Sequence, residues 1–333
     1  MDLAFLRPLY RRPGPWASVY LNPSASRDAW ISRDASDFRG ASGTAGGAGR
    51  RIDLAAREAV DQLAMAGADQ ATCVAVRAEV TGHIGSGRSG LAVFAAGGAV
   101  ALTRWLPGPP ARPDARWGPR PSVLPLLTGL DEQVRWLRVR VDRTGGDLRL
   151  DSGELARTVA GRSRYPIHGW SPPRYQMIAE EAVTRAVEET GAEVVILAGD
   201  IELRQRLAEH LPATVEERII QTDAGTGRGP LDEATARAVR VVVEQHRARV
   251  LDSYRAGRAH GLAVAGLSAV HIPLEWGQVR ILLFNPDVAP DVADALTGPA
   301  VGQDAELMII EPARERLPDG IGAVLRYPTG EGV

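Results

Sequence analysis

The spacing of apolar residues changes several times along the chain, and each change predicts an element. Trp16 to Leu21 has the length and composition of a strand. Arg51 to Ala66 sets Ile52, Ala55, Ala56, Ala59, Val60 and Leu63 at helical spacing, while Ala71 to Val80 and Leu91 to Trp105 read as strands. Between the first strand and the helix, Asn22 to Arg50 is dense in Ser, Gly, Asp and Ala, with few anchors for a core, and reads as a surface loop. Seven prolines between Pro107 and Pro125 argue against a helix or a central strand and place a domain boundary nearby.

In the next segment, Leu137, Val139 and Val141 alternate with Trp136, Arg138 and Arg140, the period of a half-buried strand. Gly145 and Gly146 mark a hairpin turn into Leu148 to Leu150, followed by an irregular stretch from Asp151 to Trp170. Ser171 suits an N-cap and Pro172 the first helical position. Tyr175, Ile178, Ala179, Ala182, Val183, Ala186 and Val187 then form one apolar stripe closed by Gly191, which predicts a helix. Val194 to Leu197 is a wholly apolar run, as in a strand covered on both faces, and Ile201 to His210 is a helix stopped by Pro212. Leu231 to Tyr254 reads as a long helix.

From Ala256 the pattern predicts a helix through Leu262, Val264, Leu267 and Val270. Strands follow at Val279 to Phe284, Leu307 to Ile310 and Ala323 to Tyr327, with a helix near Val292 to Leu296. The expected architecture is α/β in three domains: a mixed α/β domain over residues 1–132, a middle domain over 133–255, and a C-terminal α/β sandwich over 256–333.

Composition narrows the chemistry. All 39 basic residues are arginine, so the lysine of a P-loop, of a Schiff base and of protein kinases is absent. The formal net charge of -2 rules out a uniformly cationic coat, and any basic surface is local. The single cysteine, Cys73, excludes an internal disulfide and a Cys-rich zinc site; within an apolar run it reads as a small core residue. No run of 18 apolar residues occurs and the first residues lack the order of a secretory signal, so a soluble, cytoplasmic protein without a membrane partner is expected.

Motifs of conventional active sites are missing. Gly85-Ser86-Gly87-Arg88-Ser89-Gly90 matches a dinucleotide-binding string, but it precedes a strand instead of opening a helix and reads as a hairpin loop. The six histidines stand at none of the spacings that gather ligands on one helix face, and there is no Gly-x-Ser-x-Gly elbow. No metal site and no cofactor is expected.

Charge distribution is more informative. Val134 to Gln176 holds nine arginines against four acids, a surplus of +5 in a chain that is otherwise acidic. Within it, Arg162, Arg164, Tyr165, His168, Gly169, Trp170, Ser171, Arg174, Tyr175 and Gln176 combine cations for phosphates with rings and guanidinium planes for bases. That composition suits an RNA contact; it also suits a solvated loop.

These residues resemble a family. His168-Gly169-Trp170 followed by Ser171-Pro172-Pro173-Arg174-Tyr175-Gln176 is similar to the helix-opening motif of archaeal and eukaryotic class-one peptide chain release factors. The whole chain resembles their bacterial, mainly actinobacterial, relatives, a group that includes a ribosome hibernation factor. Val194 to Asp200, Gly266 to Val270, Leu274 to Leu283 and Asp319 to Tyr327 add to the resemblance, which spans roughly residues 120 to 327.

The resemblance implies a release-factor-like middle domain, a release-factor-like C-terminal domain, and rRNA contacts at the ten residues named above. It implies the bacterial ribosome as partner, near the A site and peptidyl-transferase centre, and EF-Tu as a second partner. The family's Gly-Gly-Gln tripeptide is replaced: His168 and Gly169 stand at the glycines and Trp170 at the glutamine. Glycine torsions place that glutamine beside the water that attacks the peptidyl-tRNA ester, and Trp170 has neither the freedom nor an acceptor. The expectation is therefore a ribosome-binding hibernation or stress factor with no catalytic residue. The alternative is a rescue-type peptidyl-tRNA hydrolase using His168 or Gln176.

Overall fold

The computed structural model describes residues 1–22, 46–83, 90–110, 113–130, 134–141, 149–153, 172–224 and 228–328. In chain order, α1 (Arg7–Tyr10) and β1 (Trp16–Leu21) precede α2 (Gly46–Met65), α3 (Gln70–Gly82), β2 (Gly90–Ala96), β3 (Ala99–Leu106), β4 (Asp114–Gly118) and α4 (Leu124–Leu130). Then come β5 (Trp136–Val141), β6 (Arg149–Gly153), α5 (Pro172–Thr190), β7 (Val194–Gly199), α6 (Ile201–His210), α7 (Ala213–Glu216), β8 (Ile219–Gln221) and α8 (Arg228–Arg258). The chain closes with β9 (Ala263–Ala265), α9 (Leu267–Glu275), β10 (Val279–Phe284), α10 (Pro290–Gly302), β11 (Glu306–Ile309) and β12 (Ile321–Leu325). The fold class is α/β, as expected.

Two compact units result, one of Met1–Asp131 with Leu251–Val333 and one of Glu132–Val250. The segments 1–132 and 256–333, expected as separate domains, each supply a four-stranded sheet to the first unit. The N-terminal sheet runs β3-β2-β1-β4 and is antiparallel throughout. Its strands alternate faces: Ala17, Val19, Leu21, Leu91, Val93 and Ala95 pack on α2 and α3 through Ala56, Leu63, Cys73, Val76 and Val80. Trp16, Tyr20, Ala92 and Phe94 point the other way, into a core shared with Val270, Leu282, Phe284, Leu296, Leu307 and Ile321. The second sheet runs β11-β10-β12-β9.

Three bonds hold the two parts of this unit together. The N-terminal ammonium donates to Leu307 O at 2.8 Å, Arg7 pairs with Asp304, and Val123 N donates to Asp294 Oδ1 at 2.8 Å. Asp294 is buried, 6% exposed, so its carboxyl is pushed above the ordinary value by desolvation despite those donors.

Three sequence expectations need correction here. Ala71 to Val80 is not a strand but lies in α3, which Asp69 caps by accepting from Thr72 N at 2.8 Å and from its hydroxyl at 2.7 Å. Cys73 keeps its expected place in the core, on a helix face. Residues 256–270 are not one helix: α8 ends at Arg258, and Gly261 and Gly266, with φ of 67° and 85°, turn the chain into and out of β9. The proline-rich stretch does contain a strand, β4, but at the sheet edge, where flanking prolines break no inner ladder.

The second unit holds the sheet β6-β5-β7-β8, with β5, β7 and β8 parallel and β6 antiparallel. Leu137, Val139, Val141 and Leu197 pack with Val183 and Val187 of α5 and Leu207 of α6. On the opposite face Val194 and Ile196 meet Ala238 of α8, with Trp136, Val239 and Val242 alongside. The apolar stripe expected for α5 is thus buried over its described half. The antiparallel β5–β6 pairing, from Trp136 opposite Gly153 to Arg140 opposite Arg149, fits the expected hairpin, whose turn lies outside the described residues.

Candidate nucleic-acid interface

The expected RNA contact falls between β6 and α5. Arg162, Arg164, Tyr165, His168, Gly169, Trp170 and Ser171 lie outside the described residues, and Arg174, Tyr175 and Gln176 fall in the first two turns of α5. What the structure supplies is their frame: a strand pair on one side and a helix locked into the unit's core on the other. The helix ends cleanly, with Thr190 Oγ1 donating to Ala186 O at 2.6 Å and Gly191 in the left-handed region at φ 61°.

The structure also divides the arginine surplus. Arg135 on the approach to β5 pairs with Glu193 at 3.2 Å. Arg138 is 9% exposed: its Nη1 donates to Asp232 Oδ1 at 2.5 Å and to Thr235 Oγ1 at 3.4 Å, and its guanidinium lies 5.5 Å from the Trp136 ring. The outward face of β5, expected to be solvated, is covered by α8. Glu193 and Asp232 both lie outside the arginine-rich segment, so a local charge count does not see them. Arg135 and Arg138 therefore hold the sheet to its neighbours, and the cationic surface for a partner narrows toward the arginines between β6 and α5.

At the carboxyl ends of the parallel strands the backbone is tightly drawn. Gly199 has φ 106°, and a Cβ there would lie 1.9 Å from Val141 O. Asp200 caps α6 by accepting from Leu203 N at 3.1 Å. Arg204, 4% exposed, donates to Thr222 O and pairs with Asp223, which pins the exit of β8 to α6. Sequence periodicity gave no sign of either buried arginine.

Among the described residues no group of three or more His, Cys, Asp or Glu side chains is placed to hold a metal ion, and no helix is long and apolar enough to cross a membrane. The buried Cys73 thiol is pushed up by desolvation and by Asp69, the reverse of an activated nucleophile. The described part of the second unit is thus a scaffold that carries a cationic, aromatic segment.

Comparison with known proteins bears on that segment. An uncharacterized protein of Mycobacterium tuberculosis is 28% identical, with 97% of this chain and 96% of the relative covered. Among solved structures, Dom34 of Saccharomyces cerevisiae, described as a translation termination-like factor, is similar at TM-score 0.43 and 14% identity over 58% of this chain and 63% of the yeast chain, under two thirds of its length. Pelota of Archaeoglobus fulgidus is similar at TM-score 0.34 and 14% identity, covering 72% of this chain and 79% of that one. Residues 135–260 match bacterial archaeo-eukaryotic release factor family 2. The chain is release-factor-like, and the segment that makes it so, residues 135–260, is that of the bacterial archaeo-eukaryotic release factor family.

Proposed function

We propose that this protein is a ribosome-binding translation factor of the release-factor superfamily that has lost the hydrolytic tripeptide, a hibernation or stress factor occupying the A site. The observation that carries the reading is the string His168 to Gln176: it keeps Ser171, Arg174 and an aromatic Tyr175 at the head of α5, yet sets Trp170 where hydrolysis requires glutamine. Gly-Gly-Gln occurs nowhere in the sequence. An indole cannot accept a proton from water, but its face stacks on a nucleobase, and the neighbouring arginines neutralise phosphates.

On this reading Arg162, Arg164, Tyr165, His168, Gly169, Trp170, Ser171, Arg174, Tyr175 and Gln176 meet rRNA near the peptidyl-transferase centre. Residues 256–333 act as a C-terminal domain that meets EF-Tu, and the protein works in the cytoplasm without metal or cofactor. Cosedimentation with bacterial ribosomes tests it. Binding is expected at low salt, falling steeply as salt rises, because phosphate contacts release counterions. Trp170→Ala with Arg174→Ala is expected to weaken it by a factor on the order of 10 to 100, the worth of one stacked base and one phosphate contact. Sedimentation unaffected by ribosomes overturns the proposal. Release of labelled peptide from stalled complexes, abolished by His168→Ala, would replace it with the hydrolase reading, in which His168 or Gln176 does the missing glutamine's work.

A further inference from the structure

The inner face of the N-terminal sheet is covered unevenly. Trp16, Ala92 and Phe94 are packed shut, but beside Tyr20 the covering helix α4 and the connection from β3 to β4 leave a cavity of about 600 Å³. Chain chemistry explains the gap. Pro109, Pro110 and Pro113 have fixed φ and no N–H, so this connection cannot pair with the sheet, and Gly108 and Gly129 bring no side chain to fill the space.

The volume lies in the range of small-ligand sites, and the wall of Leu106, Tyr20 and proline rings offers flat apolar faces. One strong polar group is placed in that wall: Arg116 of β4, whose Nε donates to Asp114 at 2.7 Å. That bond orients the guanidinium while using only one of its five N–H donors. An apolar slot with one oriented guanidinium selects a flat ring that carries an acceptor able to take two parallel N–H bonds.

We propose that this cavity binds a small aromatic carboxylate, the ring against the prolines and Tyr20 and the carboxylate on Arg116. Isothermal titration of the full chain with 2-naphthoate and with neutral 2-naphthylmethanol tests it. Saturable 2-naphthoate binding is expected with Kd on the order of 1 mM or tighter, about 10-fold tighter than the alcohol. Arg116→Leu removes that preference and leaves the alcohol unchanged. In Gly108→Trp, where a new Cβ meets no atom within 4 Å, the chain still folds and both ligands are excluded. Failure of 2-naphthoate to saturate the wild-type chain, equal affinity for acid and alcohol, or a preference that survives Arg116→Leu overturns the assignment.

Discussion

Single residues decide how two regions of this molecule respond to change. Asp294 sits in the core shared by the two sheets of the first unit, and its carboxyl is raised above 3.8 by desolvation. The folded chain therefore holds that proton more tightly than the unfolded chain. This contribution to stability is fully present below pH 3.8 and is lost as pH rises through the raised value. Asp294→Asn keeps an acceptor for Val123 N and carries no charge, so its stability relative to wild type should climb between about pH 3.5 and about pH 7. Urea unfolding of both chains across that range measures the difference, and a flat difference would refute the desolvated carboxyl. In the second unit, Gly199→Ala forces a side chain onto Val141 O and a φ of 106° that L-residues avoid. The backbone alone should cost about 1–3 kcal/mol, with the steric clash added. Hydrogen exchange at the amides of Val195 to Leu197 should quicken accordingly.

At the scale of elements, β5 is held to α8 by a buried cation. Asp232→Ala is expected to cost about 1–3 kcal/mol, below the value for a fully buried pair because Asp232 is half-exposed. Adding Arg138→Met should recover part of the loss, since no desolvated charge is then left behind; thermal melts of the two variants give the comparison. Elements built from continuous apolar runs were legible in the sequence: Trp16–Leu21 and Val279–Phe284 are strands residue for residue. Ala71 to Val80 was not, because a short apolar stretch fits either period. The deciding signals were the spacing of Cys73, Val76 and Val80 and the cap at Asp69. From Ala256 onward Leu262, Val264, Leu267 and Val270 fit a helical period, but the two positive-φ glycines among them break it. The β5 alternation was legible, yet not its burial, since the helix that covers Arg138 and the acid that neutralises it come about a hundred residues later. The arginine surplus itself was plain in the sequence, as was the altered tripeptide. The Arg116 cavity was not, because β4 was hidden among prolines.

For the whole molecule, the first unit depends on both ends of the chain. Leu3, Leu6, Leu9, Trp16 and Phe94 are buried in a core to which Val270, Phe284, Leu296 and Leu307 also belong. Residues 1–131 expressed alone should give a poorly dispersed amide spectrum and no cooperative melt, and co-expression with residues 251–333 should restore both. A well-folded 1–131 fragment would show that the shared core is dispensable. The same core sets an order on synthesis. As the polypeptide emerges, Trp16 and Phe94 must wait, half-clothed, through the whole of the second unit until Phe284 and Leu307 arrive. The inserted unit matures first, and the earliest residues made are among the last to find their final neighbours.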